Sequence, residues 1–363
     1  MQPRTRFGRC IVYGLLLGLS GLFLLPLLWL VSTSLKPIEQ TMSLPPTWLP
    51  RVYYATIGDQ RREVTLDHQL PDGRWQVIER SPTKMRTHAL AQAIVPASAI
   101  EVRVKPRWEN YRIALATMGG RSIEEAEGTV AARQTGYGRD TAVSFGTFLR
   151  NTLIVCLLGI VGAVLSNAII AYGFAKIPWR GREAVFAVTL ATMMIPFPVL
   201  MVPLYGVFKS LGWIGTLKPL WVPAFFGGAF NIFLMRQFFR TIPEELSEAA
   251  RIDGCNEWQI FWRIILPLSK PVLAVVALFH FLWAWNDFLG PLLFLTRKHT
   301  FTLALALQNY QSQAGGVQWH HLMAASLVVI LPIIVLFFLA QKTFIRGIAT
   351  TGLRACFKSL NLS

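Results

Sequence analysis

Six stretches of about twenty nearly uncharged residues punctuate this chain: 11–35, 151–175, 184–207, 217–239, 271–295 and 322–341. An α-helix rising about 1.5 Å per residue needs that length to cross a hydrocarbon core of roughly 30 Å. Barrel strands are shorter and alternate in polarity, and these stretches do not. The spacing predicts an all-α polytopic membrane protein with about six transmembrane helices. Composition agrees, with 53% of the 363 residues hydrophobic and 15% charged, against about 25% charged in soluble chains.

The first stretch follows a basic leader, Arg4, Arg6 and Arg9. It is too long for the apolar core of a signal peptide, and no small-residue cleavage site follows it. A retained helix is expected. The formal net charge of +16 invites a nucleic-acid reading, but the positive-inside rule accounts for it better. Lys and Arg gather in the N-terminal tail, in the loop with Lys176, Arg180 and Arg182, in the loop with Arg240, Arg251, Arg263 and Lys270, and in the tail with Lys342, Arg346, Arg354 and Lys358. The short loops on the opposite side carry only Lys209, Arg297 and Lys298. Both termini are therefore expected in the cytoplasm, and no nucleic-acid partner is expected. Cys10, Cys156, Cys255 and Cys356 fall in spans or on the cytoplasmic side, and none lies within residues 36–145. All four are expected to be free thiols, with no disulfide framework.

Residues 36–145 form a long extracytoplasmic insertion on this topology. It opens on the extended run Pro45-Pro46-Thr47-Trp48-Leu49-Pro50. Alternating runs over 64–70 and 74–78 flank Pro71-Asp72-Gly73, the signature of a hairpin, and Ile100–Lys105 alternates again. Residues 51–107 are thus expected to be β-rich, and residues 119–143 to connect. Pro196, Pro198 and Pro203 interrupt the third span, where proline removes a backbone hydrogen bond and bends a helix.

A charged island separates the fourth and fifth apolar stretches. Thr241 and Glu244 suggest a capping box, with Pro243 in the first turn. Glu244, Glu245 and Glu248 place negative charge at the positive helix end. Ala249 and Ala250 offer a small-residue surface, and Gly254 a left-handed stop. Asn256 and Gln259 suggest a second cap, and Trp258, Phe261, Trp262 and Ile265 an apolar stripe. Helices that lie in lipid headgroups usually present Lys and Arg on the polar face. This one leads with acid, so docking on a protein fits better.

Glu248-Ala249-Ala250, Asp253-Gly254, Ile264, Leu266-Pro267 and Pro271 resemble the EAA loop of bacterial ABC importer permeases. Pro26–Trp29 through Ser34–Pro37, Asn151-Thr152, Trp283–Phe288, Pro291-Leu292 and Phe344–Gly347 resemble the carbohydrate-uptake branch. The nearest type is the smaller permease of maltose- and glycerol-3-phosphate-type systems. The resemblance covers about 10–50 and 108–354, and departs at 51–107 and in the tail from 355.

The resemblance implies a permease in the bacterial inner membrane. Residues 1–35 would form a tail and first span, 146–354 a five-helix core with a coupling loop at 240–270, and 355–363 a cytoplasmic tail. It implies a second permease subunit as heterodimer partner, two cytoplasmic ABC ATPase subunits and an extracytoplasmic solute-binding protein. Glu245, Glu248, Ala249, Ala250, Asp253, Gly254, Leu266 and Pro267 would couple to the ATPase. No phosphate-binding loop of the Gly-x-x-x-x-Gly-Lys-Ser/Thr type is present, so ATP chemistry is expected in the partner. No enzyme activity, cofactor or metal is expected of the chain, and His280, His320 and His321 do not form a metal set.

Trp285, Asn286 and Asp287 place an aromatic face and polar groups in the fifth span, a pattern suited to sugar. Asp287 reads equally as a helix cap. Met193, Met194 and Phe197 could line a path, though plain packing fits them too. Cargo alternatives are polyamine, phosphate or amino acid. A channel or membrane anchor working without an ATPase is the competing class.

Overall fold

In the computed structural model the chain is described over residues 6–57, 60–79, 92–120, 143–313 and 318–360, with side chains described over fewer at the helix ends. The 119–143 connector, the tail from 355 and Cys356 lie largely or wholly outside the described residues or side chains. The chain divides into two compact units, residues 1–145 with 307–330, and residues 146–306 with 331–363.

The first unit begins with α1 (Arg6–Ser34). A five-stranded antiparallel sheet follows in the order β4-β3-β2-β1-β5: β1 (Arg51–Ile57), β2 (Gln60–Gln69), β3 (Arg74–Glu79), β4 (Gln92–Pro96) and β5 (Ile100–Val104). The expected hairpin is β2–β3. Gly73 takes φ 81° in its turn, a backbone conformation that a β-carbon would strain. Strand alternation puts Ala55, Val64, Val77 and Val95 on one buried face. Charged residues pair along the sheet, as in Arg62 with Glu79 at 2.6 Å and Arg103 with Glu101 at 2.7 Å. Hydrogen bonding from Arg103 holds the Glu101 carboxyl below its ordinary value. Pairs this exposed contribute at most about 1 kcal/mol each.

Helix α2 (Glu109–Met118) ties the end of α1 to the sheet. A helix C-terminus leaves carbonyls without intrahelical partners. The Asn110 carboxamide answers this by donating to the Ser34 carbonyl at 2.8 Å and the Lys36 carbonyl at 3.0 Å.

The second unit is built on α3 (Phe145–Ala175). The 184–207 stretch is bent: α4 (Arg182–Ala191), a short 3-10 turn to Met194, and α5 (Phe197–Ser210), the two halves meeting at 98°. Pro196 is extended at the bend, and Pro198 fits the first turn of α5. The 217–239 stretch is also broken, into α6 (Lys218–Trp221), a 3-10 turn (Val222–Phe226) and α7 (Ala229–Phe239). Gly227 at φ 86° supplies the break. Then come α8 (Glu245–Ile252), α9 (Glu257–Leu268), α10 (Lys270–Asn286) and α11 (Leu289–Phe294); the last two helices of the chain, α12 (Leu303–Gln313) and α13 (Trp319–Leu360), are divided between the units, with residues 307–330 in the first. Among the described residues, Cys10–Ser34, Phe145–Ala175 and Trp319–Gln341 are unbroken helices long and apolar enough to span a membrane. Two bent pairs, Arg182–Ser210 and Glu257–Asn286, pass the same test together. Six continuous helices are thus not what the six apolar stretches form. Three of them are divided, at Pro196, at Gly227 and at Asp287-Phe288.

Candidate functional site

The charged island folds as two short helices, α8 and α9, packed on the ends of spans. Their shared core joins Ala168, Ala171 and Tyr172 of α3, Met235 and Phe239 of α7, Ala250 of α8, Ile260, Phe261 and Ile265 of α9, and Val272 and Val276 of α10. Burying each of the larger apolar side chains among them contributes about 1.5–3 kcal/mol, which fixes the loop to the helices beneath it.

A chain of polar contacts reinforces that packing. The Tyr172 hydroxyl donates to Glu257 Oε2 at 2.5 Å. Arg251 Nε donates to Glu257 Oε1 at 3.0 Å, and its terminal nitrogen reaches Glu244 Oε1 at 3.4 Å. Lys176 Nζ donates to Glu244 Oε2 at 2.9 Å and to the Ile242 carbonyl at 2.7 Å. Tyr172 and Lys176 stand four residues apart, on neighbouring turns of one helix face. The chain therefore leaves α3, crosses both short helices and returns to the end of α3. The Glu257 hydrogen bond holds Arg251 above its ordinary pKa.

Sequence expectations meet this geometry unevenly. Gly254 takes φ 82° and ends α8 with nothing near a β-carbon position. Asn256 and Gln259 form a reciprocal capping box, at 2.8 and 2.9 Å. Thr241 does not cap α8: its hydroxyl donates back to the Phe238 carbonyl at 2.7 Å, and α8 starts at Glu245 after Glu244. Thr241 is drawn into the closing turn of α7 instead. Ala250 is buried in the shared core, so the small-residue surface reduces to Ala249. The expected four-residue stripe also splits. Phe261 and Ile265 are buried while Trp258 and Trp262 are exposed. A π-turn runs over Phe261–Ile265. Glu245, Glu248, Ala249, Asp253, Gly254 and Pro267 are exposed, and Leu266 is half-buried against the core. Leu246 and Ile252 join them, leaving an exposed face that mixes acid with large apolar groups.

The second feature is a cavity of about 780 Å³ within the second unit, between α3, α5, α6, α7, α10 and α11. Phe197, Asn286 and Asp287 line it. Asp287 sits where α10 has ended, and its Oδ1 accepts the Gly290 N–H at 3.1 Å. It acts as a cap in the break before α11. The Asn286 carboxamide donates to the Leu282 carbonyl at 2.7 Å. Trp285 and Met193 are not among the lining residues. Trp285 is buried and stacks on Phe281 with ring centroids 5.2 Å apart. Trp283, two positions away and about 200° around the helix, is the tryptophan of the lining. Asn167, Asn231 and His280 also line the cavity and were not singled out for it in the sequence. The Asn167 carboxamide oxygen accepts the Gly228 N–H at 2.7 Å, which secures the break between α6 and α7.

Residues 158–350 match the family model described as the binding-protein-dependent transport system inner membrane component. The chain belongs to that family. It is the permease subunit of an ABC importer, a transport component of the inner membrane rather than an enzyme. Arabinooligosaccharide transport permease AraQ of Halalkalibacterium halodurans is 34% identical over 58% of this chain and 75% of its own. The sn-glycerol-3-phosphate transport permease UgpE of Yersinia pestis is 32% identical over 58% of this chain and 74% of its own. A chain of a bacterial ABC transporter that imports the acidic polysaccharide alginate shares the fold, with a TM-score of 0.62 at 20% identity. That match covers 94% of this chain and 99% of the other.

Proposed function

We propose that this permease, paired with a second permease chain, forms the membrane pathway of an ATP-driven importer for a sugar or related polyol. Two cytoplasmic ATPase subunits would dock on α8 and α9, and an extracytoplasmic binding protein would deliver the cargo. The observation that carries the reading is the exposed acidic and apolar face of α8. It is held by a buried core and by the Tyr172-to-Lys176 polar chain, so force applied to it reaches α3 directly. Glu245, Glu248, Ala249, Asp253 and Gly254 would meet the ATPase. Ala250, Leu266 and Pro267 would hold the loop's shape.

On this reading the bent stretches are spans, six in all, both termini and the 240–270 loop are cytoplasmic, and the sheet lies outside. Sugar cargo is supported by the relatives' names, and glycerol phosphate in one of those names keeps a phosphorylated polyol as the second reading. Uptake into proteoliposomes carrying the importer tests the proposal. Cargo should accumulate only with ATP on the docking side, and Glu248→Lys should abolish accumulation. Equal ATP-free uptake would point to a channel instead.

A further inference from the structure

The cavity of the second unit carries a charge pattern that bears on cargo. Its described lining contains one carboxylate, Asp287, three carboxamides, Asn167, Asn231 and Asn286, and the imidazole of His280. No Lys or Arg is among the described lining residues. His280 is 9% exposed, and its Nε2 has no hydrogen-bond partner among the described residues. It packs against Gly159, where a β-carbon would overlap the ring. Among the described residues no carboxylate is paired with it. Trp283 is 60% exposed and offers an aromatic face beside these polar groups.

We infer that this subunit's share of the pathway is built for an uncharged, hydroxyl-rich cargo and against an anionic one. The inference rests on the importer reading above and narrows it. Carboxamides donate and accept at once, which matches the paired donor and acceptor character of sugar hydroxyls. A tryptophan face covers the apolar side of a sugar ring. A phosphate or uronate entering the same space must shed water and meets no positive partner among the described lining residues. When Asp287 is ionised it adds repulsion: two like charges about 6 Å apart at an effective dielectric near 20 discriminate roughly a hundredfold. When Asp287 is protonated, the described lining residues still offer the anion no counter-charge.

The importer is purified through a tag on this chain with its partner subunits and placed in proteoliposomes with its binding protein and ATP. Arabinotriose and xylotriose serve as neutral probes, with trigalacturonate and sn-glycerol 3-phosphate as anionic ones. ATP-dependent uptake of a neutral probe, at least about tenfold above either anion, is expected. Trp283→Ala should reduce that uptake about tenfold and Trp283→Phe should restore most of it. ATP-dependent uptake of an anionic probe at a rate equal to or above the neutral ones overturns the inference and leaves the importer reading standing. Absence of ATP-dependent uptake for all four probes overturns the importer reading itself, and the inference with it.

Discussion

Tyr172 in the last turn of α3 and Lys176 just past its end hold opposite ends of a single polar chain. Tyr172 reaches Glu257 at 2.5 Å and Lys176 reaches Glu244 at 2.9 Å, with Arg251 bridging the two carboxylates. The short helices are thereby clamped at two points to the span that supports them. A displacement of α8 cannot leave α3 behind without breaking one of these contacts.

Lys176 is the anchor most sensitive to change, because its side chain is only 4% exposed while Glu244 is 44% exposed. Removing one partner of a fully buried ion pair costs about 3–5 kcal/mol, and the exposure of Glu244 discounts this to about 1–2 kcal/mol. Lys176→Met should lower ATP-driven uptake at least tenfold while the protein still reaches the membrane. Tyr172→Phe keeps the ring and removes one hydrogen bond, so a smaller loss is expected. A double-mutant cycle on Tyr172 and Glu257, scored by uptake per molecule of ATP hydrolysed, should show coupling. Strict additivity would mean that the contact carries no force.

Gly254 ends α8 in a left-handed conformation that costs other residues about 1 kcal/mol or more. Gly254→Ala should weaken transport mildly. Gly254→Pro cannot adopt φ 82° and should uncouple uptake from hydrolysis. Wild-type ratios of uptake to hydrolysis in the proline variant would contradict the role given to this turn.

The Asn256 cap is separable from docking. Asn256→Ala should cost about 1 kcal/mol and speed hydrogen exchange of the first amides of α9. Asn256→Asp or Asn256→Ser should retain slow exchange.

Sidedness can be read with a membrane-impermeant maleimide on a cysteine-free background. Ile252→Cys sits at 86% exposure on α8, and Gln69→Cys at the exposed end of β2. The two should label from opposite faces of the membrane, α8 from the cytoplasm. Labelling from one common face would overturn the assigned topology.

Much of this fold was legible in the residues. Long uncharged runs announce spans, and the hairpin followed from alternation around Asp72-Gly73. The Asn256–Gln259 cap was readable because its partners lie within four residues. What escaped depends on three-dimensional phase. Trp258 and Trp262 fall outside the buried face that Phe261 and Ile265 share, although their 3.6-residue spacing suggested one stripe. Trp285 and Trp283 look equivalent in sequence, yet the phase of α10 buries one and turns the other to the cavity. Tyr172 reads as an ordinary span residue and Lys176 as one more loop charge, because their partners lie 85 and 68 positions away.

The most direct measurement is a photo-crosslinking amino acid placed at Ile252, in the intact importer purified from membranes. An ATP-dependent adduct is expected whose mass spectrum contains peptides of a subunit bearing a phosphate-binding loop, lost with Glu248→Lys. Adducts confined to lipid or to this chain itself, with and without ATP, would contradict it.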